Sequence, residues 1–349
     1  MNRPNKQVLM TPPQQDQSVI PYDDLVRNAP TFEIQTAFTK GYTLIAQVYD
    51  NIVVSTSGGA DSDVVIDFVE KLLKYSPGKH ATYIFFDTGM EFQATKDHLK
   101  FLEEKYGITI HRQRAAVPVP LGVYENGQPF LSKRVSEYME RLQRHNFKWE
   151  DRPFEELYKE YPKCKAALRW WCNEWGEGSQ INISHWAYLK EFIVTNPPTF
   201  KISAKCCDGA KKKTAKQFQE NVKADLSIQG VRKAEGGIRS TAIKSCFSEK
   251  MGEMGVYRPI FWFKNSDKKA YCDTYDVTHS RCYTQYELPR TGCACCPFGS
   301  NFENELKAAE KYEPKLYKAA CKVFGESYEY TRAYRRFKDE QRERKIQDC

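Results

Sequence analysis

The chemistry this sequence can do is concentrated in its cysteines. Twelve occur among 349 residues, at positions 164, 172, 206, 207, 246, 272, 282, 293, 295, 296, 321 and 349, with none before Cys164. Two tight pairs stand out, Cys206-Cys207 and Cys293-x-x-Cys296. A C-x-x-C turn presents two thiolates on one face, and an adjacent pair supplies two more from a second segment. Four thiolates suit either zinc or an iron–sulfur cluster, and spacing does not choose between them. Cys295 lies inside Gly292-Cys293-Ala294-Cys295-Cys296-Pro297, so it stands as an alternative ligand, as do Cys164, Cys172, Cys246 and Cys282. Cys164 and Cys172 fall eight apart on an expected helix and are assigned to packing, since free cysteine is commonly buried.

A second centre of chemistry is the turn Ser57-Gly58-Gly59-Ala60-Asp61-Ser62, placed between an apolar run and a helical pattern. Glycines admit positive φ and close approach of an anion, and a helix beginning there points free N–H groups and partial positive charge at the same spot. Ser57 and Ser62 add hydroxyl donors, and Asp61 can cap the helix or orient a bound metal or nucleotide group. The turn is neither GxxxxGK[ST] nor GxGxxG, which argues against ordinary P-loop ATPases and dinucleotide oxidoreductases.

The elements that must position these residues follow from periodicity. A helix is expected over Phe32 to Val48, a strand over Asn51 to Ser55 and a helix over Asp63 to Tyr75, with Val64, Val65, Phe68, Val69, Leu72 and Leu73 at helical spacing. A second buried strand, Ala81 to Phe86, ends in Asp87-Thr88-Gly89; a helix over Phe92 to Tyr106 and a strand over Ile108 to Arg112 follow. Strands alternating with helices predict an α/β fold on a parallel sheet, whose ligand site lies beyond the carboxyl ends of the strands. Helices are expected at Val135 to Asn146 and Phe154 to Trp175, strands at Ser227 to Val231 and Tyr257 to Phe263, and helices at Phe302 to Phe324 and Tyr328 to Arg344. The expected organisation is an arm over 1–30, the first part of a nucleotide-binding domain over 31–116, a helical insertion over 117–200, the second part over 201–265, and a Cys-rich, helical C-terminal region over 266–349.

Composition narrows the class. With 41% apolar and 28% charged residues the chain can bury a core, which excludes fibrous and wholly disordered readings. It contains no run of 18 apolar residues, and Met1 to Gln15 is polar and Pro-rich, so a cytoplasmic protein without membrane partners is expected. Clustered cysteine in that compartment reads as metal or redox chemistry rather than disulfides. The net charge of +8 is local: residues 201–250 hold twelve Lys and Arg against five Asp and Glu. Local positive charge suggests a phosphate- or sulfate-bearing partner.

The SGGxDS pattern of Ser57 to Ser62 resembles the pyrophosphate-binding loop of the ATP-pyrophosphatase (PP-loop) and phosphoadenylylsulfate (PAPS) reductase superfamily. Phe86-Asp87-Thr88-Gly89 with Glu91-Phe92 is similar to that family's second-strand motif, near base and ribose. Gly230 to Ser240 is similar to its G-x-R-R-x-x-S-x-x-R segment, with Lys233 where Arg is usual and Gly236 where Ser is usual. The resemblance covers about residues 45–115 and 200–300. It implies a PP-loop adenine nucleotide domain binding an adenine nucleotide or sulfonucleotide, with Ser57, Gly58, Gly59, Asp61, Ser62, Asp87, Thr88 and Gly89 at the nucleotide and Arg232 and Arg239 as anion forks.

Adenylylsulfate reductases carry a CC…CxxC arrangement around a [4Fe-4S] cluster with a Lys nearby. The resemblance therefore implies Cys206, Cys207, Cys293 and Cys296 as ligands, with zinc as the alternative, and Lys211 between cluster and substrate. In such reductases a tail Cys in an E-C-G-[LI]-H context attacks the substrate's sulfur; Cys349 is terminal here but lacks that context. The implied reaction is reductive release of sulfite from adenylyl sulfate or its 3′-phospho form, with thioredoxin or glutaredoxin resolving the intermediate. The alternatives are an ATP pyrophosphatase using Mg²⁺ to adenylate an acceptor for sulfur transfer to tRNA or DNA, and a non-catalytic nucleotide or redox sensor. In the former the aromatic and basic insertion would meet nucleic acid.

Overall fold

The structure is a computed structural model and describes residues 20–236, 242–251, 253–299 and 301–347. Apolar β-branched and aromatic runs form a six-stranded sheet of β1 (Ile52–Thr56), β2 (Ala81–Asp87), β3 (Ile110–Arg114), β4 (Leu226–Gln229), β5 (Phe247–Ser248) and β6 (Gly255–Tyr257). Their order is β3-β2-β1-β4-β6-β5. All pairs are parallel except β5 with β6, and Val54 aligns with Tyr83 on one side and Ile228 on the other. The α/β fold with a mainly parallel sheet is therefore as expected. The strand expected over Tyr257 to Phe263 instead ends at Tyr257. Residues 258–263 turn back, with Phe261 N–H bonded to Arg258 O and Phe263 N–H to Ile260 O.

The crossovers are helical because parallel neighbours require a long connection. Helix α1 (Tyr22–Arg27) and α2 (Phe32–Gly41) precede the sheet; α3 (Ala60–Leu73) joins β1 to β2, and α4 (Gln93–Tyr106) joins β2 to β3. Thr31 caps α2 by accepting from Ile34 N–H, and Gly107 ends α4 in the left-handed conformation, φ 64°. Val64, Val65, Phe68, Val69 and Leu72 of α3 are buried against β1 and β2, with Phe68 stacked on Phe38 at 5.1 Å. This first core also takes Tyr271 and Val277. The helix α11 (Asn265–Tyr275) thus packs with the sheet.

A third core, distinct from the sheet, gathers Leu142, Leu168, Trp170, Trp171 and Phe192 from α6 (Lys133–Arg144), α8 (Lys165–Trp171) and α9 (Leu189–Thr195), with Phe130 from the segment before α6. The helical insertion has its own core, and that core starts at Phe130. The preceding helix α5 (Val119–Asn126) packs with the cysteine-bearing second core instead. The single helix expected over Phe154 to Trp175 is broken: α7 (Phe154–Glu160) and α8 are separated at Pro162, which supplies no N–H for an ongoing helix. The same rule reorders the C-terminus, where α13 (Phe302–Tyr312) stops before Pro314 and α14 (Pro314–Gln347) then runs unbroken for 34 residues. Between α9 and β4 lies α10 (Lys213–Asn221), and α12 (Arg281–Thr284) precedes the CxxC segment.

Candidate functional site

The glycine turn sits at the carboxyl end of β1, where it opens α3. Gly58 has φ +65°, which explains the glycine there: a Cβ would also come within 2.6 Å of Thr95 Cγ2. Ser62 organises the turn through one hydroxyl, which accepts from Gly59 N–H (3.0 Å) and Ser57 N–H (3.4 Å) and donates to Gly59 O (2.7 Å). The next donor, Ala60 N–H, is taken by the Tyr283 hydroxyl at 3.0 Å, and Tyr283 is 3.3 Å from the Thr291 hydroxyl. Two hydroxyls from distant sequence thus cover the helix N-terminus where an anion would bind.

Asp61 lies beside the turn and is held by two cations, Arg232 Nε at 2.8 Å and Lys268 Nζ at 2.6 Å. Burial alone would raise its pKa, but Lys268 and Arg232 together hold it below the usual carboxylate range. The buried Arg232 also donates through Nη1 to Asn265 Oδ1 at 2.9 Å. Arg232, expected as an anion fork, spends Nε and Nη1 on protein partners, since a buried guanidinium must be paired. Arg239 lies outside the described residues.

Asp87, Thr88 and Gly89 follow β2 at the same edge. Asp87 Oδ1 accepts from Gly89 N–H at 2.9 Å, and Gly89 has φ +83°. Burial pushes Asp87 up, yet hydrogen bonds with Glu91 and Gly89 and the charge of Lys96 bring it below its ordinary value. Its neighbour Glu91 takes the opposite shift, to about 7, because it is buried and hydrogen-bonded to Asp87. Thr88 N–H donates to Glu91 Oε1 at 3.0 Å, and the Thr88 hydroxyl lies 3.5 Å from Cys293 Sγ.

That contact leads to the thiols. All four candidate ligands are free thiols. The Cys206 thiol is pushed up by its hydrogen bond with Cys207, by burial and by the charges of Cys207, Cys296 and Cys293, while that same hydrogen bond, aided by Lys211, lowers Cys207 to about 6. Lys211, in the π-helical turn Asp208–Lys212 leading into α10, faces them: Cys293 first, then Cys207 and Cys296, raise its pKa against the effect of burial. Thiols from two segments far apart in sequence therefore gather around the Lys211 ammonium.

Among the described residues no three His, Cys, Asp or Glu side chains converge as one metal ion requires. Four zinc-bound thiolates would sit about 3.8 Å apart, from a Zn–S bond of about 2.3 Å in a tetrahedron. Four thiols gathered near the Lys211 ammonium fit either zinc or a four-iron cluster in their donor chemistry. Cys295 separates from the others. It is fully buried at φ 58°, its N–H donates to Glu305 Oε2 at 2.7 Å, and burial first, then the charges of Glu305, Cys321, Glu313 and Cys296, push its thiol up. Cys164, Cys172 and Cys282 likewise sit in or against hydrophobic cores. Cys349 lies outside the described residues.

Sequence reasoning missed Tyr283, Thr291, Lys268 and Glu305, none of which falls in a recognisable motif. No helix among the described residues is long and apolar enough to cross a membrane.

Comparison with known proteins bears on this arrangement. No curated protein matches the chain. Among solved structures, the phosphoadenylyl-sulfate (PAPS) reductase from Candida auris, a phosphate complex, shares 14% identity over 75% of this chain and 89% of its own, with a TM-score of 0.37. The U34-tRNA thiolase NcsA from Methanococcus maripaludis, with its [4Fe-4S] cluster, shares 13% over 88% of this chain and 79% of its own, also with a TM-score of 0.37. Likeness at this level bears on neither reaction nor site residues. A family model, the phosphoadenosine phosphosulfate reductase domain, matches residues 51–168, from the start of β1 into α8. The glycine turn and the second-strand motif fall inside that match, so residues 51–168 are similar to the phosphoadenosine phosphosulfate reductase domain.

Proposed function

We propose that the chain binds an adenine nucleotide or sulfonucleotide across the carboxyl edge of its sheet and performs sulfur redox chemistry on it. The segment from Thr291 to Cys293 carries this reading. The Thr291 hydroxyl stands 2.9 Å from where a Cβ on Gly59 would lie, and two residues later the Cys293 thiol meets Thr88. Two residues span at most about 7 Å, which brings a phosphate cradle and a thiol centre within reach of one nucleotide.

In this reading Ser57, Gly58, Gly59, Asp61 and Ser62 hold the phosphate end, and Asp87, Thr88 and Gly89 line base and ribose. Arg232 reaches the sulfate or second phosphate with Nη2 while Nε and Nη1 keep Asp61 and Asn265 in place; Arg239 is the second fork. Cys206, Cys207, Cys293 and Cys296 would hold a [4Fe-4S] cluster, which supplies an anionic, redox-active body when bound. Lys211 offsets that charge and presents a cation to the substrate's sulfate. The reaction is reductive release of sulfite from adenylyl sulfate or its 3′-phospho form. A thiolate, for which Cys349 is the candidate, attacks sulfur, and the bond to the nucleotide's phosphate oxygen breaks with the electron pair leaving on the nucleotide. A dithiol of the thioredoxin or glutaredoxin class then attacks the enzyme sulfur, releasing sulfite as two thiols become one disulfide.

A second reading, adenylation of an acceptor by ATP and Mg²⁺ with sulfur transfer to a nucleic acid, draws on α14. That helix passes Cys295 at Tyr328 and continues to Gln347, about 29 Å further along its axis at 1.5 Å per residue, which leads the described C-terminus away from the thiols. Anaerobic protein given each sulfonucleotide with a thiol reductant, and separately ATP with Mg²⁺, tests both. Sulfite release that requires Cys349 supports the reductase; sulfite release unaffected by Cys349→Ser sinks the tail-thiol step. Pyrophosphate without sulfite overturns the reductase in favour of adenylation. Tight nucleotide binding with neither product leaves a sensor.

A further inference from the structure

The helical insertion holds a feature that the nucleotide site does not use. Arg141 on α6, Lys163, and Lys165, Ala166 and Arg169 at α8, together with Trp175, line an open cavity of about 300 Å³. Among the described residues none of its four cations has a carboxylate within 4.0 Å, although Lys133, Lys148, Arg152 and Lys190 of the same insertion are all paired. Arg169 is held in place. Its Nε and Nη2 donate to Glu174 O at 3.2 and 2.8 Å, and its guanidinium lies 4.0 Å from the centre of the Trp175 ring. Trp175 contributes a second, independent sign of a missing partner, since its indole N–H is buried and meets no acceptor. Indole N–H groups usually find a partner when buried.

The positive row extends beyond the cavity. Arg134 lies seven residues before Arg141 on α6, on the same face and about 10 Å away along the axis. Its Nη1 meets only the Gln180 carbonyl, at 3.4 Å. Such a row exceeds the size of a single phosphate or sulfate and matches a chain of them. The row is also tied to the thiol centre. Lys133, at the start of α6, pairs with Asp208 at 2.9 Å, next to Cys207, and Gln143 holds the strand-like segment leading to Cys206 through Phe200 O (2.8 Å) and Ile202 N–H (2.9 Å).

We propose that this cavity and the row beside it bind the phosphate backbone of a single-stranded nucleic acid. The inference stands apart from the reaction assigned to the nucleotide site. Three neutralised phosphates predict that affinity for a single strand falls about tenfold between 50 and 150 mM salt, from a slope near −0.7 per phosphate.

The test is fluorescence anisotropy of the full chain with a fluorescein-labelled 15-nucleotide single-stranded RNA and DNA of the same sequence. Lys163→Glu with Lys165→Glu changes two exposed side chains and is expected to weaken binding at least tenfold at 50 mM salt and flatten the salt dependence. Trp175→Phe keeps an aromatic ring under Arg169 while removing the indole N–H with its five-membered ring, and is expected to weaken binding several-fold. Binding of ATP by the same variants is expected to be unchanged, which separates this site from the glycine turn. Tight binding of either strand that follows these variants supports the proposal. Strand binding indifferent to them, no strand binding at 50 mM salt, or complete displacement by 1 mM inorganic pyrophosphate overturns it.

Discussion

Adjacent glycines in the turn are predicted to fail for opposite reasons when each is replaced by alanine. Gly59 is extended, with φ −99° and ψ 159°, so alanine is conformationally acceptable there. Its new Cβ would stand 2.9 Å from Thr291 Oγ1 and 3.1 Å from Ser57 Oγ and Tyr283 Oη, in the space over the α3 N-terminus that a phosphate oxygen needs. Folding should change little, because stiffening the unfolded chain contributes about 0.4–1 kcal/mol and offsets part of the crowding. Nucleotide binding should suffer more. Loss of two charge-assisted hydrogen bonds at about 1.5–3 kcal/mol each predicts at least a hundredfold weaker binding.

Gly58→Ala reverses the balance. At φ +65° a left-handed alanine costs roughly 1–2 kcal/mol, and its Cβ, 2.6 Å from Thr95 Cγ2, adds overpacking of about 1–3 kcal/mol. Titration calorimetry with ATP and with adenylyl sulfate, beside urea unfolding of each variant, measures both terms. A Gly59→Ala protein that binds both nucleotides within threefold of the parent would refute the phosphate cradle.

Three other predictions follow from the same contacts. Cys293→Ser should lose iron and sulfide from anaerobically purified protein whereas Cys295→Ser should keep them, since Glu305 and Tyr328 fix the Cys295 backbone away from Lys211; about four iron and four sulfide per chain are expected in the parent, and stoichiometric zinc without iron contradicts the cluster. Asp61→Asn strands Arg232 and Lys268 and should destabilise the fold by about 3–5 kcal/mol, the usual cost of breaking a buried pair from one side; denaturation with an unchanged midpoint counts against that. His279, despite burial, is raised to about 9 by Asp63, 2.9 Å from its Nδ1, and by Cys272. Its folded pKa exceeds the unfolded value near 6.5, so its stabilisation is full below about pH 6.5 and is lost as pH rises through 9. Melting temperature should fall across that window, and His279→Gln should flatten the fall.

What could be read from the chain alone was whatever is specified by neighbours in sequence. The strand, the glycine turn and the helix of residues 52–73 follow from a period of two changing to 3.6 around residues with special backbone freedom, and such signals need no distant partner. Pro162 and Pro314 carried local information of the same kind, and their breaks in the helices follow from a missing N–H. The cysteine pairs were visible as pairs, but not the difference between Cys293 and Cys295, which rests on Glu305 and Tyr328 fixing the Cys295 backbone from the other side. Nor did any local pattern announce that Tyr283 and Thr291 would cover Ala60 and Gly59, or that Arg232 would spend its donors on Asp61, 171 residues away. Those outcomes depend on which buried polar group meets which partner once the sheet has brought its strands together. Hydrophobic periodicity places elements without specifying the contacts between them, so packing and the pairing of buried charge were left to the tertiary structure.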